Sequence, residues 1–313
     1  MDCGLSPEQQ REYARAAYYY YKAAFSQKQI AQKMGMSRQR VNRILSECVR
    51  LGLVRITIPA LEHTYGALEA ELEERFSMEG VHVTESFLAR NLTADLGSAA
   101  AAVLESLIRE GDVIGVSRSR STLALAESLP RLNTGNITVT QLMGSENRAG
   151  DQIAVDHIVY RFAERLRATP VMLYAPVIVQ NEGLRRSITE EPFFRDSYRV
   201  IASCRIALVG IGSDTERALE HLRPLSRRGV TAGLRGAVGE ICTHFFDAQG
   251  RPVVPPFRDH IVSISLDDYR RIPVRLGIAG GERKVRAIRA AMLGGYVNHL
   301  VTDLDTARLL QGD

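Results

Sequence analysis

From Gly80 onward the sequence alternates short β-branched runs with amphipathic helical stretches, and that rhythm admits few architectures. "VHVTES", "DVIGVS" and "ITVTQLMG" are separated by helical stretches from Asp95 to Arg109 and Thr122 to Leu129, and Asp151 to Leu166 follows. "PVMLYAPVIV", "IALVGIG", "HIVSISL", "VRLGIAG" and "VNHLVTD" continue the series, with Lys284 to Leu293 helical between the last two and a final helix from Leu304. Such alternation predicts an α/β domain with a largely parallel sheet and helices on both faces. Ligands of these sheets bind at the carboxyl ends of the strands.

The chain has 313 residues, enough for two domains, and its 45% hydrophobic content is ordinary for a globular protein. No apolar run approaches the roughly 18 to 20 residues a membrane span needs, and the start lacks the apolar core of a signal peptide. A cytoplasmic location with no membrane partner is expected. Cys3, Cys48, Cys204 and Cys242 are scattered, with no C-x-x-C pair and no histidine at ligand spacing. Neither a disulfide framework nor a metal site is expected.

Charge is distributed unevenly. Glu8 to Ile58 carries a net +7, whereas the chain from Pro59 onward carries −2. A basic head on a near-neutral body suggests that the head alone meets a polyanion. Three helices are predicted there. Ser6-Pro7 opens the first, with Tyr13, Ala16, Ala17, Tyr20, Tyr21 and Ala24 recurring on one face up to Phe25. Ser26 caps the second, Gln27 to Met34, which Gly35 ends. Ser37 caps the third, whose inward face is Val41, Ile44, Leu45, Cys48 and Val49. This is helix-turn-helix grammar, and "LGLVRITI" continues as a strand, the remnant of a wing. On the outward face Arg38, Gln39, Asn42 and Arg43 have the donors for base edges, Lys28 and Lys33 suit phosphates, and Ser37 and Arg40 are expected among the DNA contacts as well. The alternative is an ordinary solvated helix face.

The stretch 59–79 reads as a linking helix with Leu61, Leu68, Leu72 and Phe76 on one stripe and acids opposite. It serves either subunit contacts or simple intramolecular packing. Domains are therefore expected at 1–58 (DNA-binding head), 59–79 (linker helix) and 80–313 (effector and oligomerisation domain).

Several strand ends carry small or hydroxyl residues. Ser117, Arg118, Ser119, Arg120, Ser121 and Thr122 lie between a strand and a helix start, where backbone N–H groups, hydroxyls and the helix dipole favour an anion. Gly144 and Ser145, Tyr174 and Ala175, and Gly210, Gly212 and Ser213 end other strands. Glu240 and Asp247 in "GAVGEICTHFFDAQG" are acids able to accept hydrogen bonds from hydroxyls. Lys284 follows Gly280-Gly281 at a helix start, within reach of a phosphate. No nucleotide fingerprint is present.

With those phrases in place, the chain resembles the SorC family of bacterial sugar-responsive transcription regulators, also grouped with the deoxyribonucleoside regulators. The resemblance rests on the helix-turn-helix ending in "LGLVRITI", then "GDVIGVSRSRSTL", "LYAP", "GIG", "GAVGEICTHFFDAQG" and "GIAGGERKVRAIRAAMLGGYVNHLVTD", in that order. It implies an effector domain similar to ribose-phosphate isomerase and glucosamine-phosphate deaminase, a phosphorylated sugar as effector, and a tetrameric assembly on operator DNA. Carried over, it puts phosphate contacts on Ser119 to Thr122 and Lys284, and sugar contacts near Glu240 and Asp247. Many relatives have Trp-Gly where this chain has Arg118-Ser119.

The expected protein is thus a sequence-specific regulator of a carbohydrate operon, without a cofactor, acting as a dimer or tetramer on double-stranded operator DNA. The rival reading is a sugar-phosphate isomerase or deaminase with an appended head. That enzyme needs Glu240 or Asp247 as a base beside the bound carbonyl. Among the histidines only His244 is close to a ligand phrase, and a structural role is expected for it.

Overall fold

The computed structural model describes residues 6–23, 25–54, 65–85, 91–145, 153–213 and 234–312. The chain forms two compact units, 1–64 and 65–313.

In the first unit, α1 (Pro7–Ala17) opens on a reciprocal cap in which the Ser6 hydroxyl accepts the Gln9 N–H and the Gln9 side chain accepts the Ser6 N–H. Ser26 and Gln29 repeat this device at α2 (Gln27–Met34), which ends at Gly35 with φ 66°. Ser37 caps α3 (Arg38–Arg50). The helices share a core of Tyr13, Ala16, Ile30, Val41, Ile44 and Cys48. Two details differ from the sequence reading. The first helix does not run regularly to Phe25: after Ala17 it widens into a π turn, Tyr18–Lys22. The wider turn rotates the stripe outward, leaving Tyr20 and Tyr21 39% and 38% exposed. Val49, beyond the reach of the other two helices, is exposed as well. The wing strand falls outside the described residues from Arg55 on.

In the second unit, β1 (Gly80–Thr84), β2 (Val113–Val116), β3 (Thr138–Gln141), β4 (Thr169–Val171), β5 (Ile206–Gly210), β9 (Val274–Ile278) and β10 (His299–Asp303) form a sheet of order β1-β10-β9-β5-β2-β3-β4. Every pairing in it is parallel. Alternate residues feed two cores, as β5 shows: Ile206 and Leu208 enter one, Ala207 and Val209 the other. The first core is covered by α5 (Leu92–Leu107), α6 (Arg120–Ser128) and α7 (Val155–Leu166). Opposite lie α4 (Gly66–Phe76), α8 (Glu182–Glu190), α9 (Pro192–Ala202), α10 (Leu266–Arg271), α11 (Val285–Leu293) and α12 (Leu304–Gly312).

The linking helix, α4, buries Leu72 and Phe76 in this body core. Its acids are structural, since Glu69 and Glu73 accept the N–H groups of Val83 and Val81 at 2.7 and 2.8 Å. Those are donors on β1, the outermost strand, so the helix closes an edge that would otherwise be open for pairing. The β-branched runs at 172–179 and 260–266 form isolated bridges rather than strands.

A small antiparallel lobe, β6 (Ala237–Ile241), β7 (His244–Asp247) and β8 (Pro252–Val253), stands beside the sheet. Cys242 and Thr243 turn the first hairpin with φ 50° and 68°, the left-handed pair of a two-residue turn. Next to it, the His244 Nε2–H donates to the Ile264 carbonyl at 3.0 Å, and the ring lies 6.4 Å from that of Tyr269. Burial pushes His244 from 6.5 down to about 4, and the charges of Arg258 and Arg270 push the same way. The ring is a neutral structural donor. The unfolded chain takes up its proton below about pH 6.5 and the folded chain only below about 4, so stability falls as pH drops through that window. We predict a loss of up to about 3 kcal/mol from this group, read as a falling urea midpoint between pH 7 and 4. His244→Gln flattens the fall; an unchanged slope in that variant would show that the ring titrates normally.

Candidate functional site

The outer face of α3 presents Arg38, Gln39, Asn42 and Arg43, all exposed. Positions i, i+1, i+4 and i+5 share one side of a helix, so these four form a single face, the expected reading surface. Two are pre-oriented. Asn42 accepts a hydrogen bond from Gln27 Nε2 at 3.2 Å, and Arg43 Nε lies 3.5 Å from Glu47 Oε1. A hydrogen bond from the Tyr13 hydroxyl helps to hold the Glu47 carboxyl below the usual carboxylate range. Lys28 is exposed on α2.

Three of the expected DNA contacts are engaged elsewhere. The Arg40 guanidinium turns back to α1 and donates to both Glu12 oxygens at 2.9 and 3.1 Å. Lys33 sits 5.5 and 5.6 Å above the rings of Tyr19 and Phe25. Both line a groove against α1 together with Arg11 and Arg15, away from the reading surface. The Ser37 hydroxyl accepts the Arg40 N–H as the cap of α3. Glu12 lies 28 residues from Arg40, beyond any local pattern.

In the body, β2, β3 and β4 are laid down outward from the centre, and the chain then returns to place β5 on the other side of β2. The crevice between the ends of β2 and β5 is therefore the topological switch point. There the Ser117 hydroxyl accepts the Gly210 N–H at 3.2 Å. A Cβ on Gly210 would lie 2.6 Å from Ser119 Cβ, so only glycine lets the two loops meet. The Ser119 hydroxyl accepts the Thr122 N–H at 3.0 Å, and Thr122 Oγ1 donates to the Ser117 carbonyl at 2.9 Å. Thr122 is fully buried and Ser117 and Ser121 nearly so. The hydroxyls of Ser117, Ser119 and Thr122 thus buckle the loop together. The Arg120 and Ser121 amides, in the first turn of α6, point along the helix dipole toward the crevice. Arg118 is half-buried and Arg120 exposed.

Across the crevice Lys284 Nζ donates to the Ile211 carbonyl at 2.8 Å. Burial lowers its pKa, the charge of Arg120 lowers it further, and Glu240 opposes both. Glu240 is locked to Gly212 by two backbone hydrogen bonds of 2.9 and 3.0 Å, and its Oε1 accepts the Thr243 N–H. The Ser117–Thr122 loop, Gly210, Gly212, Glu240 and Lys284 therefore converge on one place, where the charges of Arg120 and Glu240 both act on Lys284.

Gly144 and Ser145 serve the packing of β3 on its neighbours. A Cβ on Gly144 would meet the Pro176–Val177 backbone at 2.6 Å, and Ser145 donates its N–H to Ala175 O at 2.8 Å. Asp247 is not in the crevice. It closes the turn into β8, accepting the N–H groups of Gln249 and Arg251 and the Arg251 guanidinium at 2.8 Å. Hairpin register puts it opposite Ala237, at the other end of the lobe from the Cys242–Thr243 turn beside Glu240.

Two residues that the sequence reading passed over belong here. Gln141, fully buried at the end of β3, donates to Met143 O and Ser145 Oγ at 2.8 and 3.2 Å, while its Oε1 has no partner. A polar residue closing a β-branched run was the available signal. Asp303 accepts the Gly281 N–H at 2.9 Å and the Thr306 hydroxyl at 2.6 Å. It fixes the glycine turn, with Gly281 at φ 96°, that presents Lys284.

Residues 63–311 match a family model described as "Putative sugar-binding domain", and residues 10–60 match the MarR family. The chain is 29% identical to the deoxyribonucleoside regulator of Bacillus subtilis, over 99% of this chain and 100% of that one. It is 31% identical to the transcriptional regulator YjhU of Escherichia coli, with 94% and 92% covered. The full-length sorbitol operon regulator SorC of Klebsiella pneumoniae superposes with a TM-score of 0.77 at 28% identity, covering 96% and 98% of the two chains. These relatives are regulators, not enzymes, which sets aside the isomerase reading. The chain is a DNA-binding transcriptional regulator and belongs to the SorC family of sugar-binding regulators.

Proposed function

We propose that this regulator senses a phosphorylated sugar in the crevice between β2 and β5 and binds operator DNA as a cytoplasmic homo-oligomer. The observation that carries the effector class is the convergence of Arg120, the amides at the start of α6 and Lys284 at the switch point. Among the described residues, two cations and the helix-end N–H donors stand against the carboxylate of Glu240, an excess of positive charge that suits a phosphate dianion. Glu240 is an acceptor for sugar hydroxyls. The relatives named for deoxyribonucleosides and for a sorbitol operon support a sugar-type effector, and the phosphate rests on the charge balance alone. A helix-turn-helix reads only a few base pairs, so paired heads on two half-sites supply the specificity.

Differential affinity of the sugar phosphate for DNA-competent and incompetent states sets the response. The test is fluorescence anisotropy of the full chain on DNA from its own promoter region, at several salt concentrations, with and without a panel of sugar phosphates. Lys284→Ala is expected to weaken the response to the active compound by about tenfold or more, through loss of a charge-assisted hydrogen bond, with DNA affinity retained. A normal response in that variant removes Lys284 from the site.

On the head, Arg38→Ala is expected to weaken specific binding by about 1 to 3 kcal/mol and to relax preference at one base pair. Arg40→Ala acts instead through the stability of the α1–α3 contact. Unchanged DNA affinity in Arg38→Ala and Arg43→Ala together would overturn the reading surface.

A further inference from the structure

A second cavity lies in the body, between α8 and α9 on one side and residues 252–266 on the other, with a volume of about 770 Å³. That is within the roughly 300 to 1,000 Å³ of small-molecule sites. None of Ser117, Gly210, Glu240 or Lys284 lines it. The Cys242–Thr243 turn separates it from the crevice: Thr243 gives its N–H to Glu240 on one side and faces this cavity on the other.

Its chemistry has two halves. The floor is apolar, with Phe194, Phe245, Ile261 and Ile264 all buried. The rim carries Arg185, Arg195, Arg199 and Arg258 against the single lining acid Asp259. Asp259 is taken by Arg185, whose Nη2 lies 3.7 Å from its Oδ1 and whose Nε donates to its carbonyl at 3.1 Å. Arg199 pairs with Asp196 at 2.9 Å, but both side chains are largely exposed and such pairs hold weakly. Arg195 and Arg258 make no ion pair among the described residues. The field of Arg258 reaches inward as far as His244.

An apolar pocket under uncompensated guanidiniums fits neither a bare sugar nor a neutral hydrocarbon. We propose that this cavity is a second ligand site, for a small organic anion with an apolar body. Its carboxylate or phosphate meets Arg195 and Arg258, and its aromatic or aliphatic part lies against Phe194, Phe245 and Ile261. Guanidinium forks match either anionic group in two-point fashion. The site stands independently of the effector assignment, because it shares no ligand-facing side chain with the crevice.

The experiment titrates the full chain with 8-anilinonaphthalene-1-sulfonate, followed by fluorescence, with phenyl phosphate and phenylpropionate as competitors. Expected is saturable binding of one probe per chain, displaced by at least one competitor and weakened about tenfold or more in the Arg195→Ala/Arg258→Ala variant. Val254→Trp, at an exposed lining position, fills the cavity from its mouth and is expected to block binding without disturbing the core. Lys284→Ala leaves the probe affinity unchanged. Absence of saturable binding, or binding indifferent to both cavity variants, overturns the proposal. Loss of probe in Lys284→Ala assigns the binding to the crevice and also overturns it. Sedimentation of each variant supplies the last arm: dissociation of an oligomer by Arg195→Ala/Arg258→Ala would make the cavity a contact between copies of the chain, and the small-molecule site would fall.

Discussion

Parallel pairing is the constraint from which the body follows. Parallel neighbours cannot be joined by a tight turn, so each link must cross a face of the sheet, and all seven carboxyl ends finish at the same edge. A ligand site at that edge needs one gap where links leave in opposite directions, and the strand order provides it between β2 and β5. Gly210 is what lets the gap close to working size: with any side chain there, the Ser119 loop would stand off and the α6 amides would lose their aim. The crevice between β2 and β5 is thus a consequence of topology sharpened by a single missing Cβ.

The head works under a different limit, which is how many positive charges can be held together. Like charges on two short helices repel, and the structure disperses them by assignment. Arg40 goes to Glu12, Lys33 to the faces of Tyr19 and Phe25, and Arg43 leans on Glu47. Arg38 and Gln39 stay exposed, and Asn42 is engaged by Gln27 through a hydrogen bond for which water competes.

How much of this was legible depended on the range of the interaction. Caps are local, so Ser6, Ser26, Ser37 and Gly35 announced three helices correctly, and β-branched runs announced the sheet. Chemistry shared by two roles was not legible: serine and threonine at a strand end suit both a ligand and a loop, and the internal bonds of fully buried Thr122 had no signature in the sequence. Glu240 and Asp247 look equivalent in one short phrase, yet hairpin register sends one to the crevice and the other to a distant turn. The acids of α4 read only as the side opposite the apolar stripe, whereas Glu69 and Glu73 close the edge of β1. Asp303, acting on a turn more than 20 residues earlier in the chain, left no local trace.

Glu240 is where the separate parts of the body meet. Its backbone is fixed to Gly212 in the crevice, and its carboxylate lies within the field of Lys284 while holding the Thr243 N–H. The turn it holds is made of Cys242 and Thr243, both left-handed without being glycine, a conformation costing about 1 to 2 kcal/mol per residue. That strain persists because Glu240 and the 3.0 Å bond from Thr243 to Ser263 oppose it. The turn thus borders two hollows of the body, the β2–β5 crevice through Glu240 and the neighbouring cavity through Thr243 and His244.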